Sequence, residues 1–415
     1  MGGINLKYGK TLLNIILPDG LDYSIIRPKN LPSMEDPVRS VKSALNQPIE
    51  SRPLVNVMQG KQNVVILVSD ISRPAPSRLL IPPILECAEK AGLAKNKITI
   101  VFGLGSHRRH SKPEMISLVS EEVFSAVKCL DHDLKNCVRI GVTSRGTPVE
   151  VFNLVAQADL IIATGNIEFH YSAGYTGGYK AILPGVCSKA TIESNHGMFF
   201  EANANAGCIE GNPVREDIEE AGKMFGECFM INAVLNENKD PVQFVAGDPV
   251  AAHRVGAKTV DIMYKRKIEQ KADVVIASCG GYPKDINLYQ AQKGLEYASH
   301  ALTENGRLIL LAECSEGFGE KTFEDWMLKA LSPDEPINWL REKFVLGAHK
   351  AAVICKVLTC KDVYLHSSFQ KDLVESIFFK YSDDPQHTIE ELMSCFKGRE
   401  KIIVMPYANA TLPVI

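Results

Sequence analysis

The chain has 415 residues, of which 45% are hydrophobic and 23% are charged, an ordinary globular composition that excludes a disordered or fibrous protein. At about 100–200 residues per domain, this length predicts two or three domains. Lys and Arg total 46 against 49 Asp and Glu, a net charge of −3, so the basic excess expected of a nucleic-acid-binding protein is absent.

The sequence also indicates the compartment. Apolar runs such as Val64–Val68 and Leu308–Ala312 are far shorter than the ~20 residues of a membrane helix, so we expect no membrane partner. The N-terminus lacks the apolar core of a signal peptide. The 11 cysteines are scattered and form no Cys-x-x-Cys pair, which is typical of reduced thiols. These features predict a cytoplasmic protein.

Short β-rich runs alternate with helical stretches along the first half of the chain. We predict a buried strand at Val64–Asp70, a helix at Pro76–Gly92 and further strands at Lys97–Gly103 and Ala158–Gly165. The helical stretch Ala251–Lys271 follows as a bridge. This alternation predicts an α/β fold with mainly parallel strands.

The pattern resumes near residue 270. Strands are predicted at Ala272–Cys279, Gly306–Ala312, Asp362–His366 and Lys401–Met405, with a helix at Asn287–Glu304. We therefore expect two α/β lobes with mainly parallel sheets and an active site in the cleft between them. The predicted boundaries are 1–268 for the N-terminal domain and 269–399 for the C-terminal domain, with a tail at 400–415 that returns to the first.

A glycine-containing loop, Gly103-Leu-Gly-Ser-His-Arg-Arg-His110, directly follows one predicted strand. Arg108 occupies the place of the third glycine of a dinucleotide-binding fingerprint, so that motif is not met. The turn places His107 and Arg108 beyond the sheet edge, where His can exchange a proton and Arg can bind a carboxylate. The alternative is a glycine turn with two solvated polar residues.

A second loop follows the strand at 158–165 and contains Gly174, Gly177 and Gly178 ahead of Lys180. Because Tyr179 separates the glycine pair from Lys180, the pattern is not a P-loop, although backbone N–H groups can still bind an anion. A lysine in a dry pocket loses its proton readily and becomes a nucleophile or covalent anchor. The ordinary alternative is a surface charge.

Three functional classes are consistent with these residues. His107, His170 and His196 are imidazoles that suit several transition metals, so a zinc hydrolase is one hypothesis. A non-catalytic binder of an anionic nucleotide is another. Neither explains why Gln290 and Lys293 accompany the histidines, and Asp70 and Arg73 are further candidates at the end of the first predicted strand.

The order of these motifs resembles the nickel-pincer lactate racemase family, the LarA-like 2-hydroxyacid racemases and epimerases. The motifs that carry the resemblance are Asp70-Ile-Ser-Arg73, Gly105-Ser-His-Arg108, Glu168-Phe-His170, Gly177-Gly-Tyr-Lys-Ala-Ile-Leu-Pro-Gly185, Asn195-His196 and Tyr289-Gln-Ala-Gln-Lys293. They span more than half of the chain, and their combination is specific where each alone is weak.

The resemblance implies an isomerase with a pyridinium-3-thioamide-5-thiocarboxylic acid mononucleotide that holds nickel. By motif position, Lys180 would be joined to this cofactor and His196 would bind the metal. His107 and His170 would accept and donate the proton while hydride moves reversibly to the cofactor. The resemblance implies that the remaining motif residues surround cofactor and substrate: Asp70, Arg73, Arg108, Gly174, Gly177, Gly178, Tyr289, Gln290 and Lys293.

The same resemblance implies a small 2-hydroxy acid substrate, lactate-like or larger, and separate enzymes that make the cofactor. The protein is expected as a monomer or homodimer, and without those enzymes Lys180 would remain unmodified. Two positions depart from the family pattern: Ser106 stands where Thr is common, and Tyr179 stands where a basic residue is common. Both changes are expected to alter contacts around the ligand rather than the class of reaction.

Overall fold

The structure is a computed structural model that describes residues 3–345, 347–394 and 400–415. The chain forms two compact units. Residues 30–263 form one, here called the N-terminal unit, and residues 1–29 together with 264–415 form the other, here called the composite unit. Cys395 and the predicted domain end at residue 399 lie outside the described residues.

The strands of the described residues are short and are numbered here in chain order. They are β1 (Ile4–Tyr8), β2 (Thr11–Ile15), β3 (Asp22–Ile25), β4 (Val64–Ser69), β5 (Ile98–Gly103), β6 (Lys128–Asp131), β7 (Cys137–Val142), β8 (Pro148–Phe152), β9 (Leu160–Ile167), β10 (Phe169–His170), β11 (Gly174–Tyr175), β12 (Glu227–Leu235), β13 (Pro241–Gly247), β14 (Lys265–Lys267), β15 (Ala272–Ser278), β16 (Leu302–Leu311), β17 (Asp362–His366), β18 (Lys380–Tyr381), β19 (Lys401–Met405) and β20 (Leu412–Val414).

The helices connect these strands and flank the sheets. They are α1 (Pro37–Asn46), α2 (Leu54–Met58), α3 (Ser77–Lys90), α4 (Lys112–Val119), α5 (Glu121–Ala126), α6 (Asn153–Ala156), α7 (Lys189–Gly197), α8 (Pro213–Lys223), α9 (Ala251–Tyr264), α10 (Leu288–Ser299), α11 (Lys321–Lys329), α12 (Asp334–Glu342), α13 (His349–Leu358), α14 (Lys371–Ser376) and α15 (Pro385–Ser394).

A six-stranded sheet organises the N-terminal unit, in the order β13-β12-β9-β4-β5-β6. All neighbours are parallel except β13, which pairs antiparallel with β12 at the edge. The chain winds outwards from β4 through β5 to β6 and later from β9 to β12, so the strand order reverses between β4 and β9. In open α/β sheets, ligands bind beyond the carboxyl ends of the strands at such a reversal.

Both faces of this sheet are covered. The strand β4 is buried along almost its whole length, which is why it reads as a continuous apolar run rather than an alternating one. One face packs with Leu80 and Ile84 of α3, and the opposite face packs with Ile182 and Ile218. Burial on two faces fixes the direction and register of the strands that carry the loops described below.

The composite unit has its own six-stranded parallel sheet, in the order β18-β17-β16-β15-β19-β3. Its core includes Ile276 and Ile309 of the central strands and Ile402 of β19. The prediction of an α/β fold with mainly parallel sheets is confirmed.

The division of the chain differs from the predicted one at its two ends. Residues 1–29 lie in the composite unit rather than the N-terminal domain, because β3 adds to the open edge of β19 with Lys401 opposite Asp22. The segment 400–415 stays in that same unit and does not return to the N-terminal one, since β19 pairs with β15. Pairing between distant segments leaves no local signal in such short strands.

Two predicted helices are too long. The helix starting at Ala251 ends at Tyr264, because Lys265–Lys267 pairs with β20 instead of continuing the helix. The helix after Asn287 ends at Ser299, and Leu302 already belongs to β16. Among the described residues, no helix combines the length and apolar character needed to cross a membrane.

Truncating a buried side chain of the central strand β4 should strongly lower the free energy of unfolding. Ile66 is fully buried in β4, so Ile66→Ala is expected to cost about 2–5 kcal/mol of unfolding free energy through lost contacts and a cavity. The matched control Ile262→Ala changes a side chain that is 53% exposed and should stay within about 0.5 kcal/mol. Urea unfolding of both variants measures the difference, and equal losses would contradict the two-faced burial of β4.

Candidate active site

Three loops with polar side chains leave the same edge of the N-terminal sheet. Asp70 to Arg73 follow β4, the segment 104–110 follows the neighbouring β5, and Glu168 to His170 follow β9 on the other side of β4. Because these strands are parallel, their carboxyl ends meet at one edge, where the strand order reverses. The loops are therefore neighbours although up to a hundred residues separate them in sequence.

Asp70 and His107 form the first cluster at this edge. The His107 Nδ1 lies 3.2 Å from Asp70 Oδ2, and Ser72 donates its backbone N–H to Asp70 Oδ1 at 2.8 Å. Burial raises the pKa of Asp70, but hydrogen bonds from His107 and Ser72 outweigh it and lower that pKa to about 2. The carboxylate is therefore ionised and accepts the proton-bearing Nδ1 of His107, which leaves a lone pair on Nε2 when the ring is neutral.

Arg73 adds a positive charge beside this pair. Its Nε lies 3.9 Å from Asp70 Oδ2, and its backbone N–H donates to the Asp70 carbonyl at 3.0 Å. The side chain is 48% exposed, so the guanidinium retains donors for another ligand. A guanidinium in this position matches the bidentate geometry of a carboxylate.

His170 occupies a small hairpin formed by β10 and β11, in which it pairs with Gly174. Its Nδ1 accepts the backbone N–H groups of Ser172 at 3.3 Å and Ala173 at 3.2 Å. Gly174 has φ +74°, and a Cβ there would overlap the carbonyl oxygen of Cys208, so only glycine fits. Since Nδ1 accepts, the neutral ring carries its proton on Nε2, opposite to the arrangement in His107.

The charge on His170 is strongly disfavoured. Burial lowers its pKa well below the usual value, and the positive charges of Lys180 and Arg73 lower it further. His196 and Arg215 contribute in the same direction. His170, Lys180, His196 and Arg73 are therefore close enough for each to influence the electrostatics of the group.

Lys180 lies in a short 3-10 turn, Gly178–Ala181, that follows two glycines of positive φ. A Cβ on Gly177 would overlap the side-chain oxygen of Asn232, and that same oxygen accepts the Gly178 N–H at 2.8 Å. Burial, followed by the charges of Arg215 and Arg73, lowers the pKa of Lys180 well below its usual value. The lowered pKa favours the neutral amine, which is the nucleophilic form of lysine.

His196 is placed by the last turn of α7. The preceding Asn195 donates its side-chain N–H to Asp217 at 2.8 Å, and Asp217 also accepts the Thr143 hydroxyl at 2.5 Å. This fully buried network fixes the helix against α8. Burial and then the Lys180 charge lower the pKa of His196 to about 3, so the imidazole is neutral and can bind a metal.

Two supporting residues were not found from the sequence. Arg215 is almost fully buried and donates to the carbonyl oxygens of Ala173 and Tyr175, which braces the His170 hairpin. Asn232 fixes the glycine turn from β12. A polar residue within the apolar run of β12 is the signal that identifies Asn232, since buried polar groups are the informative exceptions. Arg215 lies in an ordinary charged helix sequence and gives no comparable signal.

One predicted site residue of the N-terminal unit, Arg108, is held outside this cluster, and three others belong to the composite unit. The Arg108 guanidinium is 69% exposed and is held by both carboxylate oxygens of Glu114, at 2.6 and 3.0 Å. Tyr289, Gln290 and Lys293 lie on α10, in the composite unit. Asn287 caps that helix, and its side-chain oxygen accepts the Gln290 N–H at 3.0 Å.

The two departures from the family pattern have different surroundings. The Tyr179 side chain is buried in the core beside Gly222, away from solvent, so its aromatic ring replaces a basic residue by packing rather than by a ligand contact. The effect that we predicted for Tyr179 on ligand contacts is therefore not supported by the position of the ring. Ser106 is exposed on the loop next to His107.

The alternative hypotheses find less support in the geometry. In residues 3–345, 347–394 and 400–415, no three His, Cys, Asp or Glu side chains converge closely enough to hold a metal ion, so His107, His170 and His196 do not form a zinc site. The Gly178 N–H, which a phosphate-binding loop would use, already donates to Asn232. Instead, the imidazoles of His107, His170 and His196 are held by different partners, as expected if they have different roles.

Fold and site together define a protein of two α/β units in which one unit places two differently held histidines and a neutral lysine near one sheet edge. Two family models match this chain, the lactate racemase N-terminal domain over residues 8–207 and the lactate racemase C-terminal domain over residues 268–411. The matched ranges together cover most of the sequence.

Individual relatives of this chain support the same family. The chain is 31% identical to the lactate racemase of Thermoanaerobacterium thermosaccharolyticum over 98% of both chains, and 32% identical to that of Lactiplantibacillus plantarum over 88% of both. The solved lactate racemase apoprotein from the former organism superimposes with a TM-score of 0.89 at 30% identity, covering 100% of both chains. A Thermotoga maritima protein shares the fold alone, with a TM-score of 0.61 at 16% identity. The chain belongs to the lactate racemase family and is an isomerase.

Because burial lowers the pKa of Lys180, replacing its amine should stabilise the folded protein by an amount that depends on pH. Below the usual lysine pKa of 10.5 the unfolded chain binds a proton that the folded chain does not, so folding becomes less favourable as pH falls. In protein without cofactor, Lys180→Met should therefore raise the melting temperature at pH 7, and the gain should vanish near pH 11. Each unit of pKa lowering corresponds to about 1.4 kcal/mol.

Thermal melts from pH 6 to 11 measure this effect, with Lys189→Met as the matched control. Lys189 begins α7 and its side chain is 71% exposed, so its replacement should give no such pH-dependent gain. A gain for Lys180→Met that stays constant over the whole pH range would show that folding does not lower the pKa of Lys180.

Proposed function

We propose that this protein racemises or epimerises 2-hydroxy acids, with lactate as the first substrate to test. Family membership supports the reaction class. The observation that carries the proposal is the pair of histidines in opposite tautomers, one held by Asp70 and the other by backbone N–H groups, with Arg73 close to both. A reaction that inverts one carbon needs a proton acceptor and a proton donor, which this pair supplies.

Inversion by plain deprotonation would create a carbanion beside a carboxylate, which is costly. We therefore propose that the protein uses the nickel-pincer nucleotide implied by its family, attached to Lys180, with His196 as the protein ligand of the metal. When bound, this cofactor would supply reversible hydride chemistry at the substrate C2 carbon. The donor groups fit it, because a neutral amine can form the covalent bond and a neutral imidazole is a nickel ligand.

We assign substrate binding to the cationic side chains of Arg73 and Lys293 and to the amide side chain of Gln290. Arg73 is proposed to bind the substrate carboxylate, since its exposed guanidinium lies beside the Asp70–His107 pair. The family resemblance adds Gln290 and Lys293 of α10 as further substrate contacts and Tyr289 as a cofactor contact. Arg108 is left out of this assignment, because Glu114 holds its guanidinium.

The two histidines then have distinct tasks. We assign removal of the hydroxyl proton to the Nε2 lone pair of His107, with Asp70 stabilising the imidazolium that forms. His170 presents an N–H at Nε2 to the substrate oxygen, and it can return that proton once Nδ1 has taken up a proton from solvent, so that the donating form is the imidazolium and the ring left behind is neutral. Protonation of Nδ1 breaks the hydrogen bonds from Ser172 and Ala173, and after the Nε2 proton has been donated the ring keeps a lone pair on Nε2, so for the opposite enantiomer His170 is the acceptor and protonated His107 is the donor.

Attachment of a cofactor to Lys180 would also change the electrostatics. An amine joined as a thioamide cannot be protonated, so the protonated form of Lys180, which lowers the pKa of His170 and His196, is no longer accessible. At pH values low enough to protonate the free amine, the loaded protein would therefore have more basic imidazoles than the free one. We further propose that separate maturation enzymes load the protein in the cytoplasm.

A chirality assay on protein produced together with those maturation enzymes tests the proposed function. Because enantiomers have equal free energy, either pure form of lactate should end as an equal mixture. Malate and longer or aromatic 2-hydroxy acids complete the panel. Lys180→Ala should lose both the cofactor adduct in intact-protein mass spectrometry and all inversion, whereas Lys189→Ala should keep both.

The outcomes separate the hypotheses. Protein with the adduct on Lys180 that inverts none of these acids would refute the proposed function. An adduct retained in Lys180→Ala would refute the attachment site. Stoichiometric zinc without a pyridinium chromophore would instead favour the hydrolase hypothesis.

The Asp70 carboxylate should be required for turnover. Asp70→Asn removes the charge that stabilises protonated His107 and lets the ring adopt the other tautomer, so kcat should fall by about 10²-fold or more. The matched control is Asp133→Asn, a partly exposed carboxylate bound to Arg109 at 3.0 Å, which should keep kcat within about twofold. Steady-state rates of the loaded variants measure this, and equal rates for both would contradict the role of Asp70.

A further inference from the structure

A second histidine–aspartate pair lies on the same loop as His107. The His110 Nδ1 lies 2.7 Å from Asp131 Oδ1, and the His110 backbone N–H donates to Asp131 Oδ2 at 2.8 Å. The side chains of His110 and Asp131 are only 1% and 7% exposed. Both carboxylate oxygens are thus used, and this pair is part of the folded loop rather than its surface.

The other ring nitrogen of His110 reaches the loop that follows β4. Its Nε2 accepts the backbone N–H of Ile71 at 3.1 Å. An amide N–H can only donate, so Nε2 is the acceptor and Nδ1 carries the proton that Asp131 receives as a hydrogen bond. His110 therefore links Asp131 at the end of β6 to the residue directly after Asp70.

The hydrogen bond between Ile71 and His110 lies directly beside Asp70, whose orientation sets the geometry of the Asp70–His107 pair. Asp70 must direct Oδ2 at His107 while Oδ1 accepts from Ser72, so its backbone orientation matters. The His110 ring also packs edge-on against Phe102 of β5, with centroids 5.4 Å apart. The ends of β4, β5 and β6 are therefore joined through one imidazole.

We propose that His110 and Asp131 are a positioning pair that fixes the Asp70 loop and thereby keeps His107 in the tautomer with a lone pair on Nε2. The inference rests on the proposed function for its effect on turnover. Its effect on the tautomer of His107 is independent of that function. Residues that orient a group through such contacts typically change activity by about 10–100-fold when they are replaced.

Two substitutions at His110 separate positioning from packing. His110→Phe keeps an aromatic ring beside Phe102 but cannot accept the Ile71 N–H. His110→Gln can place its side-chain oxygen near the former Nε2 and accept that N–H, so it serves as the conservative rescue. Arg109→Gln, at a neighbouring side chain that is 69% exposed, is the matched control.

The first readout needs no cofactor. Two-bond ¹H–¹⁵N spectra of histidine-labelled apoprotein show which nitrogen of each ring carries the proton, and His107→Gln assigns the His107 signals. Wild type and Arg109→Gln should show His107 protonated on Nδ1. His110→Phe should show a mixture of both tautomers, and His110→Gln should restore most of the wild-type pattern.

The second readout is turnover of the loaded variants. His110→Phe should lower kcat about 10–100-fold, with His110→Gln closer to wild type and Arg109→Gln within about twofold of it. A folded His110→Phe with an unchanged His107 tautomer and unchanged kcat would overturn the inference. If His110→Phe does not fold, Asp131→Asn takes its place, and an unchanged His107 tautomer there overturns it equally. If wild type inverts no 2-hydroxy acid, the proposed function fails, and the spectra alone decide the positioning role.

Discussion

The parallel pairing of β4 with β9 is the constraint on which the candidate site depends. Val64 pairs with Leu160 and Leu67 with Ala163, so two strands almost a hundred residues apart end at the same sheet edge. Alternate residues of both strands pack into two different cores, so a one-residue shift would exchange the side chains of these cores and disrupt their close packing. The loops that begin after these strands carry Asp70 and His170, and their closeness follows from this pairing.

Electrostatics give the site its second organising feature. Burial, together with the positive charges of Arg73 and Arg215, lowers the pKa of Lys180 and of His170, which favours the neutral form of both groups. A neutral lysine costs stability in the free protein but is the form that reacts. Local instability of this kind is common where a site is built for chemistry rather than for folding.

Histidines on one loop can serve different purposes, and their hydrogen bonds distinguish them. His107 is partly exposed and has one nitrogen bound to Asp70, whereas both nitrogens of the buried His110 are engaged. Arg108, between them, is directed to Glu114. Side chains with similar sequence surroundings thus divide into a proposed reacting group, a proposed positioning group and a surface ion pair.

The sequence alone determined the α/β class, the central strands and the order of the motifs. Apolar runs such as Val64–Val68 are long and doubly buried, so their signal is local and strong. The family resemblance supplied the identity of the candidate residues, and the comparisons confirmed the family. The roles assigned to the individual site residues stay predictions.

Only the tertiary structure decided which of these residues meet and how each is held. The pairing of β3 with β19 moved residues 1–29 into the composite unit, and no local pattern encodes a contact across almost four hundred residues. The tautomers of His107 and His170, the support from Arg215 and the ion pair of Arg108 depend on partners from other elements. Hydrogen bonds between distant segments are set by packing, which the sequence determines only through the complete fold.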